Sequence, residues 1–460
     1  MKNICLYLFV LFSILAVPGC TKTSFLDAKP NTNIVIPSTL TDLRALLNNT
    51  YVFSYSPGIG EVSADNYYLE PDDWNALSAL EHNLYIWEKN LYGAQRQLDD
   101  WSIPNQQILY TNIVLEQWEK IHPLSRDTVE WRDIKGAALF LRAYAMAHLI
   151  FHFAPAYDST SAGTLDGIPI RLSTDIHTIK QRSKLQVCID QTIADTRESL
   201  QWLQNAIPLR EKNRPSRTAA YALLSRIYLA CRQYDLAGKM ADSALMLYHK
   251  LIDYNTIDTR TNTPFDRYNE ESIYFSQSMP TLEVAVTYSN VVFADTNVYK
   301  SYSSNDLRQQ IYFRSISGSP GKIGFKSGYS GTILLFTGLT TDELYLNRAE
   351  AFAKVGNTSA ALNDLNHLLS KRWKMGFYIP YQANSVQETL LLIRQERRKE
   401  LIWRGLRWID LKRYNQEGAN ITLTRQLTPN SYTLSPNDPR YIFPFPDDEI
   451  TLSGIAQNLR

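Results

Sequence analysis

Cysteine is scarce in this chain, with four in 460 residues. Cys5 and Cys20 lie in the first twenty positions. Cys188 and Cys231 stand alone in apolar helical patterns, without the paired spacings that bind zinc or build a disulfide framework, and are expected as buried thiols. Histidine is nearly as rare, at seven. His148 and His152, in HLIFH, have the i, i+4 spacing of a zinc-binding pair. The glutamate of HExxH is missing and the flanks are apolar, which points to core or capping histidines. An excess of charge of one sign is absent too. With 47 basic against 46 acidic residues the chain has no polyelectrolyte field to draw it to nucleic acid or anionic lipid, so any basic patch is local.

Catalytic motifs are equally thin. There is no GxSxG and no EF-hand loop. GSPGKIGFKSG, Gly318 to Gly328, invites a phosphate-loop reading, but no glycine stands five residues before Gly321 and Ile323 occupies the Ser/Thr position, so a turn-rich loop is expected. Asp72-Asp73 and Asp99-Asp100 are adjacent acids without an evident cradle, although a loop-assembled carboxylate pair of the glycosidase kind stays open as an alternative. No catalytic residue, metal ligand or cofactor is assigned. Beyond the first twenty residues no stretch reads as apolar for long enough to span a bilayer.

What the chain does contain begins with MKNICLYLFVLFSILAVPGC. Lys2, an apolar run from Ile4 to Val17 and Gly19 before Cys20 have the layout of a secretory signal over residues 1–19. Cys20 after Val17-Pro18-Gly19 resembles a bacterial lipobox, in which the cysteine is lipidated and becomes the new N-terminus. Pro18 is atypical there. The expected product is a soluble body, residues 20–460, on a lipid tether.

Helical periodicity dominates that body, in blocks near 104–157, 184–250 and 340–370. In TAAYALLSRIYLACRQYDLAGKMADSALM, Tyr221, Leu224, Ser225 and Tyr228 share one helix face and Ala237, Ala241 and Ala244 another, with a turn at Arg232-Gln233. DELYLNRAEAFAKVGNTSAALNDLNHLLSKR repeats the pattern with Tyr345, Ala349 and Phe352, a turn at Gly356, then Ala361, Leu365 and Leu368. The two blocks align without a gap and resemble the tetratricopeptide repeat; Arg348 departs by filling an apolar slot. Thr340 and Glu343 have capping-box spacing, and Gly356 is placed to end its helix in a left-handed conformation. Insertions near 51–102, 253–339 and 371–460 are rich in turns, and the middle one alternates apolar and polar residues (ESIYFSQS, VAVTYSNVVF, QQIYFRSI) as short strands do. The fold class expected is mainly α, a tetratricopeptide-like scaffold with a loop-rich, short-stranded region forming one body.

Aromatic content is the chain's excess, with 28 Tyr and 9 Trp. Such rings with polar tips suit saccharides, which have an apolar face and hydroxyl edges, and they suit peptides as well. Tyr67, Tyr68, Trp74, Trp87 and Trp101 in the first insertion, with Tyr288, Tyr302 and Tyr312 in the second, are the candidate ligand residues. Packing is the competing role for each ring.

ERRKELIWRGLRWIDLKR, Glu396 to Arg413, holds seven Lys or Arg in eighteen positions. As one helix it separates into an apolar stripe (Ile393, Leu401, Trp408, Ile409, Leu411) and an outer side with Arg397, Arg398, Arg404 and Lys412. Glu396 with Lys399 and Glu400 with Arg404 have ion-pair spacing. Gly405 marks a break or a close contact. The stretch reads as a structural clasp, with Arg407 and Asp410 as candidates to pair with each other or with the repeat helices.

These segments together carry a resemblance to the SusD/RagB family of outer-membrane nutrient-binding lipoproteins. FLDAKP (Phe25 to Pro30) after the lipobox is similar to the family's opening; ADNYYL with Trp74 and Trp101, AALFLRAYAMAHLIFHFAPAY, GIPI, RPSRTAAYALLSRIYL, the 343–366 block and YIFPFPDDEITLSGIAQN follow in the family's order. In the family an acid precedes the clasp glycine, and here Arg404 replaces it. The resemblance implies a helical scaffold of four tetratricopeptide-like units, a loop surface that binds a glycan or peptide without catalysis, no cofactor, and a TonB-dependent, SusC-like barrel transporter as partner. It further implies an outer-membrane, cell-surface location through the lipid anchor and no nucleic-acid partner. Ligand residues lie in the family's variable loops, so none is carried over.

Overall fold

The computed structural model describes residues 37–93, 98–280, 282–284, 287 and 289–460. The signal segment, Cys20 and Tyr288 lie outside the described residues. Contacts divide the chain into a unit ending at Ser38 and a unit Thr39–Arg460, and all the elements named here belong to the second.

Ten helices of eight residues or more lie among the described residues: α1 Leu40–Leu47, α2 Asp99–Trp118, α3 Thr128–Phe153, α4 Leu185–Trp202, α5 Arg217–Ala230, α6 Tyr234–Leu247, α7 Thr341–Lys354, α8 Thr358–Ser370, α9 Val386–Glu400 and α10 Arg407–Gln416. With 48% helix and 10% strand the fold is mainly α. The helices pack as neighbours largely in chain order, α2 on α3, α3 on α4, α5 on α6, α6 on α7 and α7 on α8. The repeat pattern explains why. Leu224, Ser225 and Tyr228 of α5 are buried with Ala237, Ala241 and Ala244 of α6, and small residues let the axes close up. A Cβ on Gly238 of α6 would fall 2.7 Å from the Cβ of Ala351 on α7.

The turns follow local chemistry. Ser216 accepts the Ala219 N–H and starts α5; Arg232 at φ +60° reverses the chain into α6. Gly356 at φ +85° ends α7, and Asn357 caps α8. The capping box at the start of α7 does not form. Glu343 instead pairs with buried Arg226 of α5 at 2.6 Å, and the Thr340 hydroxyl accepts from Arg404 at 2.7 Å. Arg348, the charge in an apolar slot, reaches Asp364 on α8 at 2.7 Å and Asp242 on α6 at 2.6 Å, tying three helices.

Among the described residues one segment, Ser125–Phe153, is long and apolar enough to cross a bilayer, contrary to the reading of the sequence. Its apolar window is 94% buried inside the protein, so it serves here as the central core helix. His148 and His152 lie in that core, and desolvation holds both below the ordinary histidine range, His152 at about 4. Cys188 and Cys231 are buried thiols, pushed up by burial to about 11 and about 12.

The segments between the helices, the insertions among them, add short strands in two-stranded sheets. Among the described residues, β1 Tyr55–Ser56 pairs in parallel with β6 Gln277–Ser278. The other pairs are antiparallel: β2 Tyr67–Tyr68 with β7 Phe293–Ala294, β3 Asp166–Pro169 with β4 Arg182–Lys184, β5 Ser272–Tyr274 with β10 Leu339–Thr340, β8 Phe313–Ser315 with β9 Ile323–Phe325, and β11 Leu423–Leu427 with β12 Asn430–Leu434. The QQIYFRSI strand is half wrong, since Arg308–Tyr312 is a helical turn and only Phe313–Ser315 is strand. The region after 371 is less loop-rich than expected, because it holds α9, α10 and the β11–β12 hairpin.

The basic stretch is two helices separated by a break, not one helix with an outer cationic side. Trp403 at φ +61° and Gly405 at φ +70° turn the chain between α9 and α10. Arg397, Arg404, Lys412 and Arg413 are all buried. Glu396 does pair with Lys399, at 2.8 Å. Glu400 does not meet Arg404; it holds Arg308 and Arg372, both fully buried. Arg407 pairs with Asp65, and Asp410 with Arg397 and Arg413. Wrapping each guanidinium with two or more acceptors compensates the desolvation that would otherwise make such charges costly.

Candidate functional site

The aromatic loop surface is built on β2 and β7. The strand alternates, so Tyr67 turns inward and Tyr68 outward. Tyr67 is buried, donates its hydroxyl proton to the Val62 carbonyl at 2.6 Å, and meets Trp403 edge-on. Tyr68 is half-buried beside Phe293 of the partner strand, with ring centroids 5.4 Å apart. Lys322, from the turn between β8 and β9, places its ammonium 5.1 Å from both ring centroids and pairs with Glu70. That bond to Glu70 holds the Lys322 ammonium above its ordinary pKa.

Pro71 begins the next helical turn, Pro71–Asn75, which carries Asp72, Asp73 and Trp74 directly after Glu70. Partial burial, then Glu70 and Asp72, raise the Asp73 carboxyl. Trp74 is half-buried and stacks on His82 at 3.6 Å, its indole N–H donating to the His82 carbonyl at 3.2 Å. Tyr432 of β12 approaches it at 6.3 Å. Beneath, buried Arg425 of β11 donates to the carbonyls of Tyr67 and Ala64 and lies over the Tyr85 ring at 4.2 Å, which holds the hairpin under the surface. The result is two half-exposed ring platforms edged by three carboxylates and one lysine. Such an edge hydrogen-bonds hydroxyl-rich ligands, while the rings offer apolar contact.

Of the candidate rings, Tyr68 and Trp74 are half-buried in one acidic segment, and most of the others turn inward. Trp87 is buried with its indole N–H on the Ser63 carbonyl at 2.9 Å. Trp101 is buried against Phe153 and Phe445 and donates to Glu449. Tyr302 is buried and donates to the Lys399 carbonyl. Tyr312 is half-buried, its hydroxyl 2.7 Å from that of Tyr254. Sequence reasoning missed Glu70, His82, Phe293, Lys322 and Tyr432. Lys322 lies within GSPGKIGFKSG, whose Gly318 and Gly321, at φ +81° and +79°, shape the β8–β9 turn. Among the described residues no group of three or more His, Cys, Asp and Glu is arranged to hold a metal ion.

Comparison with known proteins agrees with the fold. Residues 24–229 match the family profile described as starch-binding associating with outer membrane, and residues 341–459 match the profile of the SusD family. No curated protein matches significantly. A SusD superfamily protein from Bacteroides thetaiotaomicron superposes with a TM-score of 0.74 at 22% identity, covering 92% of this chain and 100% of its own. SusD-like carbohydrate binding proteins from Bacteroides vulgatus (TM-score 0.67, 19% identity, 91% of this chain and 97% of theirs) and Bacteroides fragilis (TM-score 0.67, 14% identity, 92% and 100%) share the architecture. The two profile matches cover residues 24–229 and 341–459, and these solved folds cover 91–92% of the chain; the chain belongs to the SusD/RagB family.

Proposed function

We propose that this protein is a non-catalytic, lipid-anchored binding protein of the outer membrane that captures oligosaccharides at the cell surface and hands them to a TonB-dependent, SusC-like transporter. The observation that carries this reading is the Tyr68–Trp74 segment, where half-buried rings accompany Glu70, Asp72 and Asp73, and Lys322 pairs with Glu70. Fold relatives named as carbohydrate binding proteins support it. So does the lipobox-like placement of Cys20, the residue that would carry the lipid. Residues 20–460 act in this reading as one binding body.

Capture followed by handover requires release. A shallow site of micromolar to millimolar affinity, about −4 to −8 kcal/mol, meets that requirement. The surface offers rings and carboxylates but no nucleophile held by a base, so binding without turnover is the expected behaviour. Calorimetry on the chain beginning after Cys20, with a panel of oligosaccharides and peptides, tests the reading. Saccharide binding without product formation supports it. Peptide binding in place of saccharide would transfer the reading to a peptide-capturing member of the family, and oligosaccharide cleavage would replace it with a glycosidase.

A further inference from the structure

The β8–β9 hairpin that carries Lys322 leads, one residue past its end, into a smaller cavity that the aromatic surface does not use. Its lining includes Tyr312, Lys326, Tyr329, Glu400, Trp403 and Arg404. Tyr312 is half-buried and the other five are buried. The free core is about 20 Å³, which admits a water-sized group and excludes a sugar ring.

The chemistry of the lining is one-sided. Lys326 is 7% exposed and makes no ion pair among the described residues; its ammonium donates to the Thr259 carbonyl at 2.5 Å. Trp403 is 5% exposed, and its indole N–H has no acceptor among the described residues. The same tryptophan is held at φ +61°, a left-handed conformation that costs a bulky residue energy and recurs at binding sites. Glu400 is already committed to Arg308 at 2.9 Å and Arg372 at 2.7 Å. Arg404, at the position where the family resemblance has an acid, is committed as well, to buried Asp342 at 3.2 Å and to the Thr340 hydroxyl at 2.7 Å. Asp258, the carboxylate whose charge acts on Lys326, is paired with Arg260, so Lys326 and the Trp403 indole N–H are the donors of this lining without an ion-pair or hydrogen-bond partner of their own among the described residues beyond the Thr259 carbonyl. Burial also lowers the Lys326 ammonium from its usual value, a cost that an arriving anion would relieve.

We infer that this cavity receives one carboxylate oxygen of an acidic sugar, a uronic acid of the captured oligosaccharide, with Lys326 and the Trp403 indole N–H as its donors and the ring left outside against Tyr312. The inference rests on saccharide capture as proposed and names the class of saccharide.

The test follows the indole N–H resonance of Trp403, identified by its loss in Trp403→Phe, in ¹⁵N-labelled protein. Galacturonate is expected to move it with millimolar affinity, while galactose and the methyl ester of galacturonate act at least tenfold more weakly. Lys326→Met should abolish that preference; Lys326→Gln serves if the methionine variant does not fold. A resonance unmoved by galacturonate, or moved equally by the ester, overturns the inference. Acetate moving it as strongly as galacturonate overturns the assignment to a sugar. Neutral oligosaccharides that bind by calorimetry while galacturonate leaves this resonance still would leave saccharide capture standing and remove the acidic-sugar assignment alone.

Discussion

Arg413 holds Glu350 by two parallel hydrogen bonds, Nη1 to Oε1 at 2.8 Å and Nη2 to Oε2 at 2.7 Å, with both side chains buried. Arg413 belongs to the basic stretch and Glu350 to α7, so the pair fastens the C-terminal helices onto the repeat scaffold. Arg413 also reaches Asp410, which in turn holds Arg397.

Breaking this pair from one side should be costly. Arg413→Met or Glu350→Gln leaves a buried partner without its two parallel charged hydrogen bonds, and a loss of about 3 kcal/mol is expected in urea unfolding, since Asp410 still pairs with Arg413 and Arg394 with Glu350. Arg413→Lys, which cannot make the two parallel bonds, should recover only part. Burial alone would raise the Glu350 carboxyl, yet Arg413, Arg394 and Arg397 hold it below its ordinary value. A lowered folded pKa contributes stability that is complete above the unfolded value of about 4.3 and is lost as pH falls through the folded one. The penalty of Arg413→Met should therefore shrink on acidification below about pH 4.

Lys412 gives the opposite pH signature. Its amine is buried, donates to the carbonyls of Phe151 and Ala154 at the end of α3, and is pushed down by burial to about 7. A neutral amine has two N–H groups for those two carbonyls. Between pH 7 and the unfolded value of about 10.4, the unfolded chain holds a proton that the folded chain has released, so folding stability rises with pH. Lys412→Met lacks this rise. Its destabilisation relative to the native protein should grow from pH 7 to pH 9.5 in paired unfolding curves, and a constant difference would refute the neutral-amine account.

On the ligand surface, Trp74→Ala should weaken oligosaccharide binding at least about tenfold, or 1.4 kcal/mol, with little change in thermal stability, because Trp74 is half-buried. Tyr67→Ala, one strand position before the outward Tyr68, should instead cost about 3–5 kcal/mol of stability through lost packing. Calorimetry and thermal unfolding of the two variants separate contact from support.

Gly405→Ala tests the break in the clasp. The glycine sits at φ +70°, and an added Cβ would lie 3.2 Å from Thr337 Cγ2. A left-handed alanine costs about 1–2 kcal/mol, readable as a shift in urea midpoint.

How far the sequence could be read depends on the range of the interaction. The α5–α6 and α7–α8 pairs were visible because apolar spacing and turn residues act within one or two helical turns. The capping box failed for the converse reason. Its two side chains, Thr340 and Glu343, were claimed by Arg404 and Arg226, which lie far along the chain and are buried beside them. The outer cationic side of the basic stretch failed in the same way, since Arg407 answers Asp65 and Arg413 answers Glu350, partners no local spacing displays. In the candidate site, ADNYYLEPDDW was recognisable as an aromatic and acidic segment. Which of two adjacent tyrosines faces out was decided by the pairing of β2 with β7, and Lys322 arrived from a loop with no apparent link to it.

The sequence by itself determined the helical class, the repeat units, the neutral overall charge and the aromatic excess, because composition and short-range periodicity are properties of the chain alone. Only the tertiary structure decided where each charge finds its counter-charge and which rings stay at the surface. Burial and ion pairing join residues hundreds of positions apart, and a side chain's role follows from what the fold sets against it.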